Sequence, residues 1–303
     1  MKNNKSLTKQ SFLQRYGNDY FFLAPWLLAF VIFTIVPVFS SVVLSFTNFD
    51  MVQTPDFIGI SNYLRLILDD DIFIKALMNT LLFAIITGPI GYILSFVYGW
   101  LINDLGRFAR TVLTFLFYTP SLVGGSYLIW TYLFSGDAYG ILNSFLISNG
   151  FIDTPIQFLT NADYNFYVVV IVILWGGMGT GFLSFVAGFQ GLNKAYFEAA
   201  AIDGIRNRWQ ELWFITLPQM GPQLLIGAVL SISGAFGVGS VPSALTGFPS
   251  TDYSTHTMVL HIQDYSSNRL ELGYASAVAV ILFIIMIVAW VGLRKLLSSI
   301  SGD

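Results

Sequence analysis

KAYFEAAAIDGIRNRWQELWFITLP, residues 194–218, is a charged island in an apolar chain. It carries Lys194, Glu198, Asp203, Arg206, Arg208 and Glu211, while the apolar runs on both sides carry no charge. Charge this dense cannot sit in hydrocarbon, so the segment is expected in water between two membrane spans. It also reads as helical. Ala199, Ala200 and Ala201 are strong helix formers, Gly204 reads as a stop, and RWQELW resumes the pattern until Pro218. Two short helices joined by a turn at a membrane surface suggest a knob for a soluble partner.

The rest of the composition agrees. The chain has 303 residues, 55% hydrophobic, 17% aromatic and 10% charged, with a mean hydropathy of +0.69. A soluble domain carries about 25% charged residues, so the sequence describes an integral membrane protein. With no cysteine, disulfides and thiolate metal sites are excluded. A net charge of −3 and a pI near 5.3 argue against nucleic acid as a partner. Residues 1–20 form a basic, polar tail. The apolar run after it is too long for the core of a signal peptide and lacks a small-residue cleavage pattern, so it reads as a retained first span.

Six apolar runs can cross a bilayer as helices, each needing roughly 20 residues: about 21–46, 76–102, 111–134, 166–189, 218–240 and 272–293. The expected fold is therefore an all-α polytopic membrane protein, with one membrane domain over 21–303. Lys and Arg divide unevenly between the alternate ends. Lys2, Lys5, Lys9, Arg15, Arg107, Arg110, Lys194, Arg206, Arg208, Arg294 and Lys295 fall on one side, and Arg65, Lys75 and Arg269 on the other. This bias predicts both termini, and the loop 190–217, on the cytoplasmic side. The spans also hold helix-perturbing residues: Pro37, the Gly88–Gly91 stretch, Pro120 with Gly124 and Gly125, the cluster Gly176–Gly181, and Gly234–Gly239. Small residues let membrane helices approach closely. The 176–181 cluster also suits a hinge, or a path that passes close to backbone. No internal repeat is visible, and six spans are few for a closed path, so a second bundle from another chain is expected.

Several chemistries are missing. No G-x-x-x-x-G-K-[ST] phosphate loop and no H-E-x-x-H pair occurs. His256 and His261, the only histidines, share the loop THTMVLHIQDY and read as solvated or hydrogen-bonded residues rather than a metal pair. No ionisable residue lies inside the predicted spans, which counts against an ion-coupled pump or an intramembrane acid–base enzyme. Energy for uphill transport must then come from a partner, and the charged island is the place for that contact.

Read in this light, E-A-A-A-I-D-G followed by I-T-L-P closely resembles the cytoplasmic "EAA" loop of binding-protein-dependent ABC importer permeases. Glu198, Ala199, Ala200, Asp203, Gly204, Ile215, Leu217 and Pro218 occupy the matching positions. Ten residues separate Gly204 from Ile215, one more than the usual form, and the surplus is assigned to the turn at Ile205–Asn207. The likeness extends through APWLLAFVIFTIVPVFSSVVLSFTNFD, FYTPSLVGG, WGGMGTGFLSFVAGFQGLNKAYFEAA and GYASAVAVILF to the carbohydrate-type subfamily. One departure is Leu245-Thr246-Gly247-Phe248-Pro249-Ser250, where many relatives carry an LTGGGP-like stretch.

The resemblance implies the translocation subunit of an ATP-driven sugar or oligosaccharide importer of the bacterial cytoplasmic membrane, not itself an enzyme. It would pair with a second, homologous permease, two ATPase subunits that carry ATP and magnesium, and an extracytoplasmic solute-binding protein. The short helix beginning at the motif would dock on the ATPase, with Glu198 as the ion-pair candidate, Ala199 and Ala200 as the close-packing face and Gly204 as the turn. For the solute path, mid-span groups able to stack on or hydrogen-bond a sugar are Tyr127, Trp130, Trp175, Ser184, Ser231, Ser233 and Phe236. Two alternatives stand beside this reading: a permease of the same class for a glycerophosphodiester or polyol, and an ATP-independent carrier or channel.

Overall fold

The structure is a computed structural model that describes the backbone of residues 12–301 and the side chains of residues 21–295. Five helices are long and apolar enough to span a membrane. They are α1 (Phe21–Leu44), α3 (Asp71–Asn103), a run made of α7 (Ala162–Gly176) and α8 (Thr180–Gln190), a run made of α11 (Gly221–Phe236) and α12 (Ser240–Thr246), and α14 (Leu272–Lys295). Shorter helices between them include α2 (Ser61–Leu68) and α6 (Ile141–Ser148).

The expected span over 111–134 is sharply bent. It consists of α4 (Arg107–Leu122) and α5 (Ser126–Leu133), which meet at 87°. Val123 is extended and Gly125 takes φ +80, a left-handed conformation that glycine adopts without strain. The Ser126 hydroxyl then donates to the carbonyl of Pro120 at 2.7 Å and holds the corner. The bent pair therefore counts as a sixth span only if its two halves cross together.

α3 is the spine. At 33 residues it extends about 50 Å, and it packs against both α8 and α11. Glycines set how near the three come. A Cβ at Gly227 would lie 2.5 Å from the Phe185 ring, and one at Gly99 would lie 3.2 Å from Phe189. Close approach of this kind replaces the hydrophobic drive that lipid cannot supply between helices. α1 packs its C-terminal half on α14 and exposes Phe22, Trp26, Phe33 and Phe39. A helix apolar all round needs lipid or another chain about it.

The N-terminal end of α3 is fixed by a buried carboxylate. Asp70 caps the helix through a 2.8 Å bond from the Phe73 amide. Its other oxygen accepts bonds from the Tyr274 hydroxyl at 2.6 Å and the Tyr265 hydroxyl at 3.3 Å, and lies 3.1 Å from His261 Nε2. Arg65 pairs with Glu271 and lies 4.3 Å above the Tyr274 ring, and Arg269 lies 4.3 Å above Tyr265. α2, α3, α13 (Met258–Gln263) and α14 therefore meet in one network. Neither histidine is solvated. His261 is bonded to Asp70, and His256 is buried beneath Phe248 with no hydrogen-bond partner on either ring nitrogen.

Burial alone would raise the Asp70 carboxyl. The bonds from His261, Tyr274 and the Phe73 amide outweigh it and hold the group well below the ordinary carboxylate range. Burial, helped by the neighbouring His261, pushes His256 down to about 4. Both groups bind protons more readily in the unfolded chain, so their contribution is full above about pH 6.5 and falls as pH drops. His256 is lost between 6.5 and about 4, and Asp70 only at more acid pH. Amide protection factors of residues 247–271, taken relative to the intrinsic exchange rate at each pH, should fall between pH 6.5 and 4.5, and His256→Phe should flatten that dependence. Wild-type protection factors that do not change with pH would contradict the assignment.

Candidate functional site

Two regions carry functional chemistry. The first is the charged island, at the opposite end of α3 from Asp70. It forms two short helices, α9 (Lys194–Ile202) and a second that begins as α10 (Arg208–Glu211). The Asn193 side chain caps α9 by accepting from the Ala195 amide at 3.0 Å. Gly204 at φ +97 ends it, with the Ile205 amide returning to the Ala200 carbonyl at 3.0 Å. A left-handed glycine with this bond is a standard helix stop. Asn207 caps α10 through the Gln210 amide at 2.9 Å, while Gln210 accepts from the Arg206 amide at 3.0 Å.

α10 then runs through a π-helical turn, Leu212–Thr216, into Leu217–Gln219. A π-turn takes up one residue more than an α-turn. Leu212–Thr216 is thus a second place, besides the turn at Ile205–Asn207, that can absorb one surplus residue. Glu198, Ala199, Asp203, Gly204 and Pro218 are exposed, Ile215 is buried, and Leu217 packs under Phe185 and Met220. Ala200 is turned into the chain, so of the two expected packing alanines Ala199 is the one left open to a partner. Beside it Ile202 is 88% exposed.

The second region is a cavity of about 430 Å³ midway along α3. Three helix breaks meet there: Val123–Gly125 between α4 and α5, Gly177–Gly179 between α7 and α8, and Gly237–Gly239 between α11 and α12. Broken helices at membrane depth leave amides and carbonyls unpaired, and they are tolerated where those groups face a cavity. Tyr127, Trp175 and Ser231 line it, the Ser231 hydroxyl donating to the Gly88 carbonyl at 2.8 Å. Trp130, Ser184, Ser233 and Phe236 do not. Trp130 backs Trp175 edge-on at 5.4 Å, Phe236 belongs to the buried core cluster of α3, α11 and α14, and Ser233 is exposed.

The sequence reading passed over Thr87, Tyr92, Ser95, Ser121, Thr180 and Ser240, which also line the cavity. A signal for the α3 part exists. Thr87, Gly91, Ser95 and Gly99 recur every fourth residue, a small and polar stripe down one face of an apolar helix. Among the described residues, no Asp, Glu, Lys, Arg or His lines the cavity.

Residues 87–299 match the family described as binding-protein-dependent transport system inner membrane component. The chain belongs to this family. It is thus a multi-pass permease of the cytoplasmic membrane. It is 27% identical over 292 residues to the probable ABC transporter permease protein YesP of Bacillus subtilis, covering 94% of this chain and 90% of that protein. It is 29% identical over 310 residues to the arabinooligosaccharides transport system permease protein AraP of the same organism, covering 98% and 96%. A crystal structure of a bacterial ABC transporter involved in the import of the acidic polysaccharide alginate shares the fold. That likeness has a TM-score of 0.77 at 21% identity and covers 95% of this chain and 98% of the other.

The cavity and the packing faces can be told apart by substitution. A Cβ at Gly234 meets nothing within 4 Å, although Gly234 lines the cavity. Gly234→Leu should leave membrane yield and thermal midpoint near wild type and cut solute uptake at least tenfold. Gly99→Leu, driven against Phe189 away from the cavity wall, should instead lower the midpoint or abolish folding, since overpacking costs about 1–3 kcal/mol or more. Full uptake by Gly234→Leu would show that solute passes elsewhere.

Proposed function

We propose that this permease is the translocation subunit of an ATP-driven importer for an uncharged sugar or oligosaccharide. The observation that carries the reading is the cavity wall. It offers hydroxyls, aromatic faces and the glycine backbone of three helix breaks, and no charged side chain among the described residues. Sugars present many hydroxyls around apolar C–H faces, which such a wall can meet with hydrogen bonds and stacking. An anionic cargo held away from water would need a compensating cation, and this wall has none. That disfavours a glycerophosphodiester. A polyol is the second reading, favoured by the same hydroxyl-rich wall.

The 194–218 segment and both termini would lie in the cytoplasm, as the Lys and Arg bias requires. There α9 would dock on one of two ATPase subunits that bind ATP and magnesium, with Glu198 pairing a basic residue and Gly204 preserving the turn. A second permease would complete the path. An extracytoplasmic binding protein would deliver the solute, a role supported by the related alginate transporter having been solved with an alginate pentasaccharide-bound periplasmic protein. Closure of the ATPases would move the docked helices and switch the bundle between two packings.

In proteoliposomes holding the assembled transporter, Glu198→Lys and Gly204→Pro should each abolish ATP-dependent uptake while the chain still inserts. Substantial uptake by either variant would sink the docking assignment. Purified chain alone should show no ATPase activity, and hydrolysis by it would overturn the division of labour.

A further inference from the structure

The charged island is continuous with α8 on one side and α11 on the other, so movement of α9 reaches those helices through the backbone. α3 borders neither end of the segment, yet it supplies Thr87, Gly91, Tyr92 and Ser95 to the cavity wall. Its link to the island is made by side chains. Arg208, the first residue of α10, forms an ion pair with Asp104, the residue that follows α3. The same guanidinium lies 4.8 Å above the ring of Trp100 in the last turn of α3. The ring of Trp209 approaches Trp100 to 5.1 Å. Leu192 and Leu217 pack into the cluster that holds Trp100, so the ends of the three helices are kept adjacent by apolar contact. The Arg208 contacts add direction and register to that adjacency.

We infer that Arg208, acting on Asp104 and Trp100, is the positioning residue that makes α3 follow the coupling segment, carrying its movement to the cavity. The inference rests on the ATP-driven reading above. An exposed ion pair alone would contribute little, commonly below about 1 kcal/mol. Here one planar cation is held at two points, by a carboxylate and by an indole face, and a second indole sits beside it. A guanidinium can pair and stack at once, whereas an ammonium is a point charge on a flexible stem. α3 is an unbroken helix from Asp71 to Asn103, so a tilt applied at Trp100 moves Ser95 and Thr87 with it. Pro89 lies between the two and does not interrupt the helix.

The test uses the assembled transporter in proteoliposomes, with Arg208→Ala, Asp104→Ala, the double variant and Arg208→Lys, and reads ATP-driven uptake and ATPase rate in parallel. Each alanine variant should lower uptake at least fivefold while the ATPase rate stays within twofold. The double variant should lose no more than the weaker single, because the two residues act as one unit. Arg208→Lys should recover only part of the loss. Unchanged uptake in Arg208→Ala, multiplicative losses in the double variant, or a parallel fall of uptake and ATPase rate would each overturn the inference, the last assigning Arg208 to ATPase docking. A wild-type complex with no ATP-driven uptake would contradict the functional reading instead.

Discussion

The structure depends on one long helix anchored at both ends. α3 starts on the buried Asp70 carboxylate, which accepts bonds from a helix amide and from the hydroxyls of Tyr265 and Tyr274 beside His261. It finishes where Trp100 and Asp104 receive Arg208. Over residues 76–103 it carries no charged side chain, so its position there is set by small residues that let α8 and α11 come close. A chain with 10% charged residues has few ionic contacts to place, and this one places them where the apolar packing ends. A buried carboxylate without its donors would cost several kcal/mol, which is why loss of any of them should loosen that corner first.

Glycine works in two opposed ways in this bundle. Gly99 and Gly227 are filled by neighbouring rings, and a side chain there would push helices apart. Gly177, Gly179, Gly237 and Gly239 instead interrupt helices around one cavity. The interruptions bring glycine backbone to a wall that, among the described residues, holds no Asp, Glu, Lys, Arg or His. Under the proposed function, a path built in this way suits a hydroxylated, uncharged solute, and the work of transport falls to the far end of the same helices.

Much of this was legible in the chain. Apolar runs of sufficient length located the spans because hydrocarbon thickness is a hard constraint. The E-A-A-A-I-D-G string marked both the stop at Gly204 and the exposed face of α9. The 87° corner at Val123–Gly125 was signalled by Pro120 and two glycines, but composition cannot tell a kink from a reversal of direction. The cavity wall was harder. Trp130 and Phe236 matched the chemistry sought and were used for packing, while the small polar stripe on α3 looked like ordinary helix contact. Asp70 and His261 are separated by 190 intervening positions, and nothing local in either segment announces their contact.

The central claim is that nucleotide acting at the 194–218 end changes the cavity about which α3 packs. The chain contains no cysteine, so spin labels can be placed on Ser95 and Ser240, which face the cavity from α3 and α12. The distance between them, measured in the assembled transporter with and without ATP, should shift to a second population on nucleotide binding, and Glu198→Lys should remove that shift. A single unchanged distance in both states, in a complex still importing solute, would contradict the account.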